Sequence, residues 1–215
     1  MARLFVAVWP PSEVVDALCR LPRPAGAGVR WTTPDQWHVT LRFLGETDPV
    51  EAEAALRELD PPASELRLGP GTVLLGREVV ALPAHGVDEL AAAVLEVTRG
   101  VGRPPARRPF HGHLTLARLR RGAGRPARMA FEARWDVRTV ELVESDLRPT
   151  GASYRTRATV AVEGPRPSPA GSSDRSAVAG EDGEPGHPHG RDGESGVDHR
   201  DHQGGGDQVE REDAL

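Results

Sequence analysis

Trp37-His38-Val39-Thr40-Leu41-Arg42-Phe43-Leu44 reads almost like Gly112-His113-Leu114-Thr115-Leu116-Ala117-Arg118-Leu119, which begins 75 residues later. Each stretch sets His-x-Thr inside an apolar pattern suited to a strand. Side chains alternate across a strand, so a histidine and the threonine two residues on emerge on one face while Val39 and Leu41, or Leu114 and Leu116, anchor the other. Each copy therefore presents one imidazole beside one hydroxyl. Two such pairs facing each other across a cleft supply an acid, a base and two hydrogen-bond donors without a metal.

The surrounding chain predicts an α+β fold. Arg3 to Val8 reads as a strand, and Ser12 is placed to cap a helix reaching about Arg20. A Pro- and Gly-rich loop, an extended Val29 to Thr32 and a turn at Pro34-Asp35 lead into the first motif strand, about Gln36 to Leu44. Asp48-Pro49-Val50-Glu51 has the form of a capping box with proline at the first helical position, opening a helix to about Leu59. Residues 65 to 82 hold three short alternating runs broken by Gly69-Pro70-Gly71 and Gly76-Arg77, the mark of antiparallel strands. Val87 to Arg99 is helical by its apolar spacing. The Arg- and Pro-rich loop Arg103 to Pro109 then delivers the chain into the second motif strand. Strands over about Phe131 to Glu144 and Tyr154 to Val162, with a turn at Pro149-Thr150-Gly151, close the domain. Helices and strands do not alternate regularly, so mostly antiparallel sheets lining a central cleft, with helices outside, are expected. One motif in each half implies a bilobal, pseudo-twofold body.

Composition divides the chain near Gly164. Residues 165–215 carry five arginines against twelve acidic residues and no aromatic residue, and four of the eight histidines lie there. Such a segment buries too little apolar surface to offset its ordering entropy and reads as a disordered acidic tail. Residues 1–164, formally +2, are ample for one domain with its own core. Every basic side chain counted as Lys or Arg is arginine, which suits bidentate phosphate binding. A lone cysteine, Cys19, excludes an intramolecular disulfide and a Cys-based zinc site, and its place on a short helix predicts a buried thiol. Leu4 to Trp9 is too short for a membrane span, so a cytoplasmic, membrane-free protein is expected.

Paired His-x-Thr strands with these flanks resemble the 2H phosphoesterase superfamily, in particular its bacterial RNA 2′,3′-cyclic phosphodiesterase branch, historically called 2′-5′ RNA ligases. That branch carries Trp-x-x-Pro-x-x-x-His-x-Thr-Leu-x-Phe-Leu-Gly, which stands here from Trp31 to Gly45. Phe110 to Arg118, and Leu142 to Tyr154 with its Gly151-Ala152-Ser153-Tyr154 turn, also match. The likeness covers the 1–164 core and none of the tail. Gly112 departs from it, standing before His113 where the family more often has proline.

The resemblance implies a metal-independent, cofactor-free hydrolase acting on RNA with a 2′,3′-cyclic phosphate terminus, such as a tRNA fragment, and giving a 2′-phosphomonoester. It assigns His38 as proton donor and His113 as proton acceptor, with Thr40, Thr115 and Arg118 on the phosphate. Strict alternation conflicts with the last assignment, because it turns Arg118 away from His113. Either the strand bulges before Arg118, or Arg42, four residues after His38, is the phosphate ligand instead. Phe43 and Trp37 are candidates for stacking a base, with core packing as the alternative for both. Arg103, Arg107 and Arg108 form a basic loop suited to guiding RNA phosphates. A 2′-5′ ligase or diesterase, another cyclic-nucleotide phosphodiesterase and a non-catalytic RNA-end binder are the rival readings. A monomer is expected.

Overall fold

A computed structural model describes residues 1–148 and 151–163. The tail assigned above to 165–215 lies outside these residues, as does most of the turn at 149–151. Ten strands and three helices follow in the order β1 (Ala2–Val8), α1 (Ser12–Cys19), β2 (Val29–Trp31), β3 (Val39–Thr47), α2 (Pro49–Arg57), β4 (Glu65–Leu68), β5 (Val73–Leu75), β6 (Val79–His85), α3 (Asp88–Val97), β7 (His113–Leu119), β8 (Ala133–Asp136), β9 (Thr139–Arg148) and β10 (Gly151–Ala161). A short 3-10 turn, Pro34–Gln36, precedes β3.

All strand pairings are antiparallel, in the order β10-β9-β1-β3-β7-β6-β4-β8, with β2 beside β7 and β5 beside β6. The two motif strands, β3 and β7, are neighbours at the middle of that order. They meet through one pair, Val39 opposite Leu114. One flank carries β1 and β3 with the late strands β9 and β10, and the other carries β2 and β4 to β8, so the chain starts and ends in the same lobe of the expected α+β, two-lobed arrangement.

β1 shows how the sheet is buried on both faces. Leu4, Val6 and Val8 enter the main core, whereas Phe5 and Ala7 join Val143 in a small apolar cluster on the other side, against Trp9, Phe43 and Tyr154. The helices close the main core. They present Val14 and Leu18, Ala52 and Leu56, and Leu90, Ala91 and Val94 to the interior, the three-to-four-residue spacing of an amphipathic helix.

Local chemistry decides the boundaries. Asp48 accepts a hydrogen bond from Val50 N at 2.9 Å with Pro49 at the first helical position, as the sequence predicts for α2. Ser12 differs from expectation. It is the first residue of α1 and does not cap it; Pro11 holds the cap position, and the Ser12 hydroxyl turns to Glu13. Cys19 also differs, for its place at the last residue of α1 leaves the thiol exposed. The strand expected from Phe131 to Glu144 is two strands: β8 pairs with β4, and β9 with β1. Val137 and Arg138 carry the chain from one flank to the other, and Val137 N donates to Ser64 O there.

Candidate active site

The β3/β7 pair fixes the geometry of the motifs. Extending the antiparallel register from Val39 and Leu114 by one residue each way sets Thr40 opposite His113 and His38 opposite Thr115. All four side chains share the face away from the buried Val39 and Leu114, and all are half-buried. Each imidazole lies diagonal to the other, beside the opposite motif's hydroxyl.

The rings are held alike. His38 Nδ1 lies 2.9 Å from Gln36 O, and His113 Nδ1 lies 3.0 Å from His111 O, in both cases the carbonyl two residues upstream. A carbonyl only accepts, so each Nδ1 carries a proton and each Nε2 is left to work. Burial lowers both pKa values. With smaller pushes from the His113 and Arg118 charges, that of His38 falls to about 4. Both rings are therefore neutral at pH 7 until an anion arrives between them.

A bulge resolves the conflict over Arg118. On β7, Thr115 pairs with Ala81 and Ala117 with Val80, so Leu116 is an extra residue. Alternation restarts beyond it. Val79, on the same face as Ala81, pairs with Arg118, which brings the guanidinium to the His113 face five residues after the histidine. The same device stands in β3: Thr40 pairs with Ala7 and Arg42 with Val6, leaving Leu41 extra, again three residues after the histidine. Phe43 is thus the pseudo-twofold counterpart of Arg118, and it packs beside Phe5, Ala7 and Val143. The Arg3 guanidinium lies 4.9 Å and that of Arg103 5.9 Å from the Phe43 ring centre.

Arg42 is turned away from the site and cannot be the phosphate ligand. The bulge at Leu41 directs it into the interior, where only 6% of it is exposed and its guanidinium donates to the carbonyls of Leu95, Val101 and Arg103. It ties β3 to the end of α3. Arg42→Ala is expected to cost about 2–4 kcal/mol of stability, because buried carbonyls lose charged donors. Chemical denaturation should show that loss, while KM for a phosphorylated ligand stays within about twofold of wild type. Trp37, fully buried with Nε1 donating to Thr32 Oγ1 at 3.0 Å, is likewise core and not a stacking platform.

Residues from other strands also reach the site. Tyr154 on β10 meets His38 edge-on at 5.1 Å between ring centres, with Trp9 at 5.2 Å and Phe5 at 4.8 Å from the same imidazole. Burial raises the phenol's pKa, opposed by the nearby Arg118 charge, so Tyr154 is a neutral donor at pH 7. Arg30 on β2 pairs with Arg118 and adds a second guanidinium. Gly151, beside the Arg30 guanidinium, has φ +136°, a backbone conformation that favours glycine.

The family model described as LigT like Phosphoesterase matches residues 8–69. The RNA 2′,3′-cyclic phosphodiesterase of Thermus thermophilus is 31% identical over 170 residues, covering 71% of this chain and 86% of that protein. The chain belongs to the LigT-like phosphoesterase family. Among solved structures, TT0787 of Thermus thermophilus superposes with a TM-score of 0.63 at 30% identity, over 75% of this chain and 98% of that one. The Escherichia coli LigT complexed with 3′-AMP gives 0.61 at 27% identity over the same shares. In this LigT-like phosphoesterase the two motif strands hold two imidazoles, two hydroxyls and a guanidinium on one face, and the halves of the family fold meet between them.

Proposed function

We propose that the protein hydrolyses the 2′,3′-cyclic phosphate at an RNA end to a 2′-phosphomonoester, using His113 as base and His38 as acid. The observation that carries this reading is the register across β3 and β7, which sets each imidazole beside the opposite threonine on one face. Its relatives named RNA 2′,3′-cyclic phosphodiesterase, from Thermus thermophilus and three other bacteria, support the substrate class.

Water attacks phosphorus from the His113 side, and His113 Nε2 takes its proton as the new P–O bond forms. The bond from phosphorus to the ribose 3′ oxygen breaks on the His38 side, and His38 Nε2 protonates the departing oxygen. The products are a 2′-phosphate and a free 3′-hydroxyl, with one water consumed. Charge gathering on the nonbridging oxygens is met by the Thr40 and Thr115 hydroxyls and the Arg118 guanidinium. His38 enters the reaction protonated because the bound phosphate anion offsets the burial that lowers its pKa. Phe43, on the cleft face beyond the bulge, is the contact for the terminal base. Each half contributes one motif, so a single chain completes the site, and we read the protein as a monomer acting in the cytoplasm on single-stranded ends such as those of tRNA fragments.

The test is to incubate the full-length protein with an oligoribonucleotide ending in a 2′,3′-cyclic phosphate in excess EDTA, and to identify the phosphate left behind. Conversion to a 2′-phosphomonoester at the rate seen without EDTA is expected. Intact cyclic ends, or turnover that needs a divalent metal, would overturn the reading.

A further inference from the structure

A concavity opens beside His113, on the same face of the sheet. It has a volume of about 240 Å³ and runs from His113 across β6 to β5. Its floor is apolar, made by Val73 and Leu75 of β5 and Pro83 of β6. The pairing puts these with the catalytic face: Pro83 is opposite His113, Ala81 opposite Thr115, and Val73 opposite Ala81. Phe110 forms one wall, and the polar groups of His85, Asp88 and His111 stand at the rim. Strands lie about 4.8 Å apart, so the floor extends roughly 10 Å beyond His113.

The wall depends on Gly112. A Cβ at that position would lie 2.8 Å from Ala84 O and 3.2 Å from the Phe110 ring. The ring therefore folds over a bare backbone. Phe110 also ends the basic loop that carries Arg103, Arg107 and Arg108, and the Arg108 charge is felt at His113. The positive charge of that loop suits the RNA phosphate that precedes the cyclic one. The pocket at the end of the loop is smaller than the roughly 300–1,000 Å³ typical of sites for drug-sized ligands. An aromatic plane, an apolar floor and a rim of hydrogen-bonding groups at this size suit one nucleobase.

We infer that this pocket binds the base of the nucleotide immediately 5′ to the one bearing the cyclic phosphate, stacked on Phe110, with Asp88 accepting from its edge. The inference rests on the proposed hydrolysis of cyclic-ended RNA and adds a second recognition site to it. A carboxylate accepts only, so it favours guanine, cytosine or adenine, whose exocyclic amines donate, over uracil, whose edge offers one N–H between two carbonyls.

Two substrates separate this from the reading beneath it: a nucleoside 2′,3′-cyclic monophosphate and a dinucleotide ending in the same cyclic phosphate. The readout is the ratio of kcat/KM for the dinucleotide to that for the mononucleotide. Phe110→Ala is expected to lower the ratio about tenfold, the usual cost of losing one aromatic stacking platform. Phe110→Leu, which keeps apolar bulk, should lower it by several-fold. Exposed Asp88 can be changed without disturbing the core, and Asp88→Asn should erase the discrimination against uracil at the 5′ position. An unchanged ratio in all three variants overturns the subsite while leaving the hydrolase intact. Equal losses on both substrates also overturn it, because the pocket then serves His113 or the terminal base. If wild type hydrolyses neither substrate, the hydrolase reading and this inference fall together.

Discussion

Replacing His113 with alanine, and separately His38 with alanine, is expected to lower kcat by about 100- to 10,000-fold, the contribution of a positioned proton-transfer group. The two rings serve one bond exchange, one on the entering oxygen and the other on the departing one. Their losses should therefore not multiply, and the double variant should be only slightly slower than the poorer single one. Single-turnover hydrolysis of a cyclic-ended oligonucleotide measures this directly, since product release is excluded. If both rings were merely packed in half-buried strands, the variants would melt earlier yet keep wild-type rates. Retention of activity within tenfold in both would remove the acid-base pair from the account.

Arg118→Ala is expected to cost about 100- to 1,000-fold in kcat/KM, in line with loss of one preorganised charge stabiliser. Arg118→Lys should recover part of the loss, because a point charge remains but the planar fork that grips two phosphate oxygens does not. Arg118 and Arg42 form a natural contrast, each the only arginine in its motif strand. The first is aimed at the cleft and the second at three interior carbonyls. Substitution of Arg118 should thus be read in kinetics and that of Arg42 in denaturation. The opposite pattern would show that the bulges at Leu116 and Leu41 have been given the wrong consequence.

The motif histidines and threonines were legible in the sequence because strand parity relates residues two apart, and nothing intervenes between His38 and Thr40 or between His113 and Thr115. Parity fails at the next step. A bulge is set by the partner strand: Val80 and Ala81 of β6 skip Leu116, and Val6 and Ala7 of β1 skip Leu41. Its trace in the sequence is weak. Two inward residues in a row, Leu116-Ala117 and Leu41-Arg42, are each followed by an outward one. The division of residues 131 to 144 into β8 and β9 leaves a clearer trace, since Phe131, Ala133, Trp135 and Val137 fall at odd numbers and the next main-core positions, Val140 and Leu142, at even ones. Tyr154 is marked only by the likeness of its Gly151-Ala152-Ser153-Tyr154 turn, and Arg30 reaches the site by a pairing across the sheet that no local pattern announces. Cys19 shows the converse limit, as a short helix end exposes what its apolar neighbours suggested would be covered.

Nuclear magnetic resonance titration of the two imidazoles, with and without a nucleoside 2′-monophosphate, tests most directly whether they flank one phosphorus. In the free protein the His38 signal should titrate near pH 4 and that of His113 below the ordinary value of 6.5, each with Nδ1 protonated. The bound phosphate stabilises the charged form of any imidazole it touches, so both midpoints should rise, and both should shift at the same ligand concentration. A rise at one ring while the other stays fixed, or no rise at either, would contradict a shared phosphate site.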